Sequence, residues 1–192
     1  TPVQLRLLTG APVPSIRLVL VGGGAFDPST RAHAATLFPN AQILGYFGAS
    51  EASFIALDAE GMPEGAVGRA YPQVEIRLRD GEIFVRSPYL FEGYSAGHDP
   101  LVRFEEDWLG FGEIGEMVGP WLFVKGRANR MFTVADRNLF PEAVEAFALA
   151  QGCLHAACLP VPDALRGARA AVFHHGGPQD LGARIAAAFG LR

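Results

Sequence analysis

A run over residues 16–21 that is apolar apart from Arg17 ends in the triplet Gly22-Gly23-Gly24. A short apolar run bounded by glycine predicts a buried strand. A proline then opens a helical stretch over residues 28–38, and residues 42–46 predict a second short strand. Strand, glycine turn, helix and strand form one βαβ unit. We therefore predict that residues 1–61 have an α/β fold with parallel pairing.

The pattern changes after this segment. Residues 74–79 alternate between apolar and charged side chains with a period of two, which is typical of a strand. Asp80-Gly81 then supplies a two-residue hairpin turn, and the chain returns over residues 82–86. A further strand is predicted over residues 121–124. Residues 62–126 are therefore predicted to be mostly antiparallel β, as a small sheet or a β-barrel-like subdomain.

The last third predicts a small α+β domain. Pro141 is well placed as the first residue of a helix. Two apolar runs, at residues 156–159 and 170–173, predict strands. Leu181, Ile185 and Phe189 recur every four residues, which indicates a closing amphipathic helix. We therefore predict that residues 127–192 form a separate C-terminal domain.

The charge balance argues against nucleic acid as a partner. The chain has 192 residues with 16 basic and 20 acidic side chains, for a net charge of -4. Proteins that bind phosphate backbones usually carry a basic excess. A negative chain can still bind ATP, because backbone N–H groups and a metal ion can hold the phosphates.

Two cysteines, Cys153 and Cys158, are too few for a disulfide framework, and their spacing matches no zinc motif. We therefore expect a reduced, cytoplasmic protein. No apolar run approaches ~18 residues, so no membrane span is predicted. The N-terminus resembles no signal peptide and begins at Thr1-Pro2 without a Met, so we expect a fragment of a longer protein.

Two segments combine glycine with groups that can contact a nucleotide. The glycine triplet after the first strand lets backbone approach a ligand, although the triplet by itself favours a purely structural turn, since glycine ends most strands. In the segment Tyr46-Phe47-Gly48-Ala49-Ser50-Glu51, an aromatic ring can stack on a base, a hydroxyl can bond a phosphate and a carboxylate can hold Mg²⁺. The alternative for this second segment is a packed aromatic followed by a helix cap at Ser50.

The order of six segments resembles the adenylate-forming superfamily, which includes acyl-CoA synthetases, aryl-CoA ligases, luciferases and nonribosomal-peptide adenylation domains. The resemblance covers nearly the whole chain and concerns the C-terminal part of that fold. The segments are Phe47-Gly48-Ala49-Ser50-Glu51 (family Y-G-x-T-E), residues 81–94 (G-E-L-x-V-R-G-P, then G-Y), Phe111-Gly112-Glu113 (T-G-D), residues 126–133 (G-R-x-D-x-x-I-K), residues 141–145 (P-x-E-V-E) and residues 161–167 (V-P-D-x-x-x-G).

The resemblance implies a nucleotide site and a catalytic pair in the first of these segments. Phe47 would stack on adenine, and Gly48 would let the chain pass close to the base. Tyr46 and Gly24 would line the same pocket. Ser50 would contact the α-phosphate, and Glu51 would hold Mg²⁺ as the metal ligand.

The later segments would complete the site. Glu113 would bind the ribose hydroxyls with help from Arg127, and Asn129 would be the hinge about which a mobile C-terminal domain turns. Glu113 stands where the family usually has Asp, and Asn129 replaces the usual Asp or Lys. Ala135-Asp136 replaces a glycine pair that lets the pantetheine arm of CoA pass, which weakens the expectation of thioester formation.

The implied parent is an AMP-forming acid–CoA ligase of the acyl-CoA synthetase type, acting on a small-molecule carboxylate. It would use ATP, Mg²⁺ and CoA. The family's phosphate loop is expected before Thr1 and its catalytic Lys after the closing helix, so we expect the chain to be inactive alone. Two alternatives stay open: a degenerate paralogue that binds a nucleotide or a partner without catalysis, and a nicotinamide-binding domain suggested only by the glycine triplet.

The histidines predict no metal site. His174 and His175 are adjacent on a predicted strand, so their side chains point to opposite faces and do not share an ion easily. His33 and His98 have no partner at a ligand spacing. We expect exposed histidines without a function.

Overall fold

The computed structural model describes residues 1–135 and 137–191. The chain divides into two compact units, Thr1–Val124 and Lys125–Arg192. Among the described residues, no helix is long and apolar enough to cross a membrane.

The predicted βαβ unit is present in the first unit. A short helix α1 (Pro2–Leu7) precedes strand β1 (Leu18–Val21), helix α2 (Pro28–Leu37) and strand β2 (Gln42–Ala49). Strands β1 and β2 pair in parallel. Strand β2 runs three residues further than predicted. The extra residues belong to an antiparallel hairpin that β2 forms with the next strand, β3 (Ser53–Leu57). A two-residue strand, β4 (Arg69–Ala70), completes a mixed sheet in the order β1-β2-β3-β4.

The largely buried carboxylate of Asp58 holds β2 in place. Asp58 accepts a hydrogen bond from the Gly45 N–H at 2.6 Å and pairs with the Arg31 guanidinium of α2 at 2.7 Å. Only 10% of the Asp58 side chain is exposed, so its charge requires both partners. This contact joins the helix to the strand that carries the predicted nucleotide segment.

The second sheet of the first unit is open. Strands β5 (Glu75–Arg79) and β6 (Glu82–Arg86) form the predicted hairpin, with φ of 52° at Asp80 and 83° at Gly81, as a primed two-residue turn requires. The remaining strands are β7 (Val102–Glu105), β8 (Trp108–Val118) and β9 (Trp121–Arg127).

The pairing order is β5-β6-β8-β7, with β9 also paired to β8. Because β5 and β7 lie at opposite ends of that order, the described strands form an open sheet, and the β-barrel-like description is corrected to an open antiparallel sheet.

One core joins the two sheets of this unit. It contains Ala52, Ile55 and Ala56 from the β3 hairpin together with buried side chains of the second sheet, among them Ile83, Val85, Leu109, Phe111 and Leu122. Burial of each large apolar side chain contributes about 1.5–3 kcal/mol. The core therefore holds the β2–β3 turn against β8.

The second unit is a small α+β body. It contains the hairpin β10 (Phe132–Val134) and β11 (Arg137–Leu139), helix α3 (Pro141–Ala150), the antiparallel ribbon of β12 (Cys153–Asp163) and β13 (Gly167–Gly176), and helix α4 (Leu181–Phe189). Its core contains Val144 and Ala148 of α3, Cys158 of β12, and Leu181 and Ile185 of α4.

The N-cap of α2 predicts an acid-sensitive contribution to stability. Burial raises the pKa of Asp27. Hydrogen bonds from the Ser29 hydroxyl, the Thr30 hydroxyl and the Thr30 N–H, together with the charge of Arg6, outweigh this effect, so the pKa falls from 3.8 to about 2. A carboxyl whose pKa is lower in the folded state stabilises the fold above its unfolded pKa. That contribution is lost as the pH falls from about 4 to about 2.

We expect Asp27→Asn to lower the free energy of unfolding by about 1–2 kcal/mol near neutral pH, after allowance for solvent screening. The difference between variant and parent should shrink below pH ~4 as the Asp27 carboxyl protonates. Urea denaturation followed by circular dichroism across this range measures both effects. A difference that stays constant with pH would contradict the assignment.

Candidate functional site

The predicted segment lies in the tight turn between β2 and β3. Ala49 and Ser53 pair across the hairpin, so Ser50, Glu51 and Ala52 form the turn. Ser50 is exposed and Glu51 is half-buried. A Cβ on Gly48 would overlap the Ser53 carbonyl oxygen, so the hairpin accepts only glycine there without moving. The glycine therefore fixes the direction in which the turn leaves β2.

Glu51 is held at two points by the segment that follows β6. The Tyr94 hydroxyl donates a hydrogen bond to Glu51 Oε1 at 2.5 Å, and the Phe91 N–H donates to the Glu51 carbonyl oxygen at 2.8 Å. The Phe91 and Tyr94 rings contact each other edge to face at 5.0 Å. Glu51 thus has its backbone and its carboxylate fixed from a distant part of the chain.

Phe47 brings a third motif to the same region. Its ring is half-buried against the core, with its centroid 6.4 Å from the centroid of Phe111. Phe111 directly precedes Gly112 and Glu113 on β8. Gly112 has φ of 74° and donates its N–H to Glu82 Oε1 at 3.2 Å. The segments containing Phe47, Glu113 and Tyr94 therefore meet within the first unit.

Tyr46 and Gly24 are the other two residues predicted to line the base pocket. Tyr46 pairs with Leu57 of β3, and Phe47 pairs with Ala56. Because successive residues of a strand point to opposite faces, the Tyr46 and Phe47 side chains lie on opposite faces of β2. The Tyr46 ring covers Gly22, where any Cβ would overlap it. A Cβ on Gly24 would instead meet only Pro2, at 3.9 Å. The glycine that packs against the Tyr46 ring is thus Gly22. The predicted roles of Tyr46 and Gly24 in lining the base pocket stay predictions.

Arg127 and Asn129 belong to the second unit. Arg127 ends β9, and its carbonyl oxygen accepts the N–H groups of Arg130 and Met131 at 3.0 and 3.2 Å. Asn129 is exposed in the turn that these bonds close. The predicted roles in ribose binding and as a hinge stay predictions. Asp136, half of the altered glycine pair, lies outside the described residues.

The donor set at the turn suits a magnesium ion carried by phosphates better than a protein-only metal site. In the described parts of the chain, no group of three His, Cys, Asp or Glu side chains could hold a metal ion. Glu51 supplies one carboxylate. Mg²⁺ is commonly bound by one or two carboxylates together with substrate phosphates and water. Glu51 and the exposed Ser50 hydroxyl fit that arrangement.

Two contacts of this site were not predicted from the sequence. Tyr94 was part of a matched motif without a role, and Phe111 was noted only because it replaces a Thr. Their partners, Glu51 and Phe47, are 43 and 64 residues away along the chain, as the numbering shows. The one available signal was that each residue belongs to a segment similar to a family motif.

Comparison with known sequences identifies related enzymes. The family model described as AMP-binding enzyme matches residues 3–95. A putative long chain fatty acid-CoA ligase, VraA, of Staphylococcus epidermidis is 29% identical over 184 residues, which cover 92% of this chain and 40% of that protein. An uncharacterized acyl-CoA ligase, YhfT, of Bacillus subtilis is 27% identical over 162 residues, which cover 76% of this chain and 32% of that protein.

Solved structures agree with this result. A variant of E. coli MenE with bound OSB-AMS superposes with a TM-score of 0.74 at 28% identity, over 94% of this chain and 41% of that one. The amide bond synthetase McbA of Marinactinospora thermotolerans superposes with a TM-score of 0.75 at 27% identity, over 91% and 40% of the two chains. The chain thus spans about 40% or less of the length of these relatives.

Proposed function

We propose that the chain is part of an AMP-forming acid–CoA ligase of the adenylate-forming superfamily, because residues 3–95 match the AMP-binding enzyme family model and the similar proteins include acyl-CoA ligases. The predicted resemblance is confirmed by the family model and by relatives along nearly the whole chain. In the proposed reaction, a carboxylate oxygen attacks the α-phosphorus of ATP and pyrophosphate leaves. The thiolate of CoA then attacks the acyl carbon of the acyl-adenylate, and AMP leaves.

The observation that carries this proposal is the convergence of three motif segments in the first unit. The Phe47–Phe111 contact joins the aromatic segment to the one that contains Glu113. The Tyr94–Glu51 hydrogen bond joins the acidic turn to the third segment. AMP would then lie across the three segments, with its adenine on Phe47, its ribose at Glu113 and its phosphate at Ser50.

Each side chain has a stated task in the proposed site. The Phe47 ring offers a face for base stacking. The Ser50 hydroxyl donates to an α-phosphate oxygen, which stabilises the charge that develops during the attack. Glu51 holds Mg²⁺, and the ion neutralises phosphate charge when it is bound. Tyr94 keeps the Glu51 carboxylate in place by donating to one of its oxygens, which leaves the other for the ion.

Two roles are proposed for residues of the second unit. We propose that Arg127 assists Glu113 at the ribose and that Asn129 is the hinge of a mobile domain formed by residues 127–192. We also propose that the chain does not turn over alone, because it holds no glycine-rich loop ending in Pro-Lys-Gly and spans less than half of its relatives' length. Robust pyrophosphate release by the purified chain with fatty or aromatic acids would contradict this.

A glutamate variant tests the proposed phosphate end of the site. We expect Glu51→Gln to reduce the effect of Mg²⁺ on ATP binding, because the amide keeps the shape of the carboxylate but loses its charge. AMP binding without metal should stay nearly unchanged. Ligand-observed NMR with and without Mg²⁺ measures both.

The neighbouring acid Glu60 offers a matched control, since it is an exposed carboxylate outside the turn. Glu60→Gln should behave like the parent chain. Equal Mg²⁺ dependence in the parent and in Glu51→Gln would contradict the assignment of Glu51 as the metal ligand.

A cytoplasmic location and the absence of a nucleic-acid partner stay predictions from composition.

A further inference from the structure

The outer face of the β12–β13 ribbon is open to solvent. The two strands pair in register over Cys153 to Asp163 and Gly167 to Gly176, with an irregularity between Cys153 and His155. One face packs on the core of the second unit through Cys158 and Val172. On the other face, Leu159 is 50% exposed and Phe173 is 62% exposed. Side chains on this outer face therefore have access to ligands from solution.

Two histidines meet at the end of this outer face. His155 and His175 are direct cross-strand partners. Both side chains are exposed, and their rings lie 6.1 Å apart between centroids with an interplanar angle of 16°. The next pair along the same face is Ala157 with Phe173, so no carboxylate or ammonium group stands directly beside the imidazoles on that side. His174 points to the opposite face, as its adjacency to His175 predicted.

We propose that His155 and His175 form a binding site for a divalent transition-metal ion of the Zn²⁺, Ni²⁺ or Cu²⁺ type. Imidazole nitrogens bind such ions at about 2.0–2.1 Å, so two imidazoles on one ion have ring centres about 5–6 Å apart. The observed separation of 6.1 Å lies close to the upper end of that range. Rotation of each exposed ring about χ2 aims its nitrogens at a common point, and water completes the coordination.

The chemistry of the pair selects the class of ion. Nitrogen ligands favour Zn²⁺, Ni²⁺ and Cu²⁺, whereas Mg²⁺ and Ca²⁺ prefer oxygen. An ion across the two strands would also close the open end of the ribbon, because it joins β12 to β13 just before the strands leave the sheet. Both ligands belong to the second unit, and neither is a residue of the proposed nucleotide site.

A rival pair on the other face is chemically poorer. Cys153 Sγ lies 4.0 Å from His174 Nδ1. That nitrogen is also 2.7 Å from the Gly176 carbonyl oxygen, and the Cys153 thiol contacts the same oxygen at 3.5 Å. Burial raises the pKa of the Cys153 thiol, which disfavours the thiolate that binds metal. Both groups are therefore already satisfied within the protein.

Calorimetric titration of the untagged chain with Zn²⁺ near neutral pH tests the proposal. We expect one ion per chain, with binding weakened about tenfold or more by either His155→Ala or His175→Ala, because each removes one of two ligands. His174→Ala is the matched control, since it removes an adjacent histidine from the opposite face. It should leave the affinity unchanged, and Mg²⁺ should produce no binding heat at this site.

NMR of the parent chain gives a second readout that does not depend on a variant folding. Zn²⁺ should shift or broaden the ring signals of His155 and His175 and leave those of His33 and His98 unchanged. Absence of Zn²⁺ binding to the folded chain would overturn the proposal. So would a loss of affinity in His174→Ala that equals or exceeds the loss in His175→Ala.

Discussion

Gly48→Ala should lower the free energy of unfolding of the first unit by about 2–3 kcal/mol, which is the upper part of the range for overpacked sites. The added Cβ would overlap the Ser53 carbonyl oxygen, and a backbone carbonyl does not move aside as a flexible side chain does. Ser53 itself has φ of 55° and pairs with Ala49, so the hairpin has little freedom to adjust. Chemical denaturation followed by tryptophan fluorescence measures the loss.

A second glycine of the predicted pocket supplies the control. A Cβ on Gly24 would meet only Pro2, at the ordinary contact distance of 3.9 Å. Gly24→Ala should therefore change the free energy of unfolding by no more than about 0.5 kcal/mol. Equal destabilisation by the two variants would show that close packing at the β2–β3 turn is not the reason for a glycine at position 48.

Phe47→Leu should weaken the binding of both AMP and ATP by about 1–3 kcal/mol, the range for loss of base stacking in nucleic-acid complexes. Leucine keeps much of the apolar contact with the core but offers no ring face to adenine. The stability cost should accordingly stay below about 1.5 kcal/mol. Calorimetry or ligand-observed NMR with each nucleotide measures the loss of binding.

Phe104→Leu is a control that separates the loss of adenine stacking on Phe47 from the general effect of removing an exposed aromatic ring. Phe104 lies on β7, is 49% exposed, and its ring stacks on Phe91 with centroids 6.3 Å apart. It is an accessible ring outside the proposed adenine position, so its replacement should leave nucleotide affinity unchanged. If Phe104→Leu weakens AMP as much as Phe47→Leu does, adenine does not stack specifically on Phe47.

The elements that were predicted correctly are those with a local physical signal. The Asp80-Gly81 turn selects a hairpin whatever surrounds it, since both residues tolerate the positive φ that the turn needs. The βαβ unit follows from an apolar run, a proline and a second apolar run. The helix α1 was missed because six residues are too few to show a helical period.

Strand β8 was missed for the opposite reason, because its local signal is misleading. Its eleven residues include Gly110, Gly112 and Gly115, which lower strand propensity. The structure explains each glycine by a neighbour from another segment. An added Cβ would meet Phe84 at 2.7 Å, Leu101 at 2.7 Å and the Phe123 carbonyl oxygen at 2.5 Å, in that order along the strand. A local pattern does not contain that information, because those neighbours come from other segments of the chain.

The same limit applies to the candidate site. Phe47, Ser50 and Glu51 were identified from one short segment together with its resemblance to a family motif. The contacts that organise them, with Phe111 and Tyr94, depend on how β8 and the segment after β6 pack. The His155–His175 pair likewise depends on the register of β12 and β13, which neither strand specifies alone.

Parallel titration of the chain with AMP and with ATP, both without added Mg²⁺, tests the central claim most directly. We predict that both nucleotides bind with a Kd of ~1 mM, worth about 4 kcal/mol, because the proposed site contacts only the adenosine and the α-phosphate, which AMP and ATP share. Phe47→Leu should weaken both equally. A far tighter affinity for ATP, or no binding of either nucleotide by the folded chain, would contradict this account.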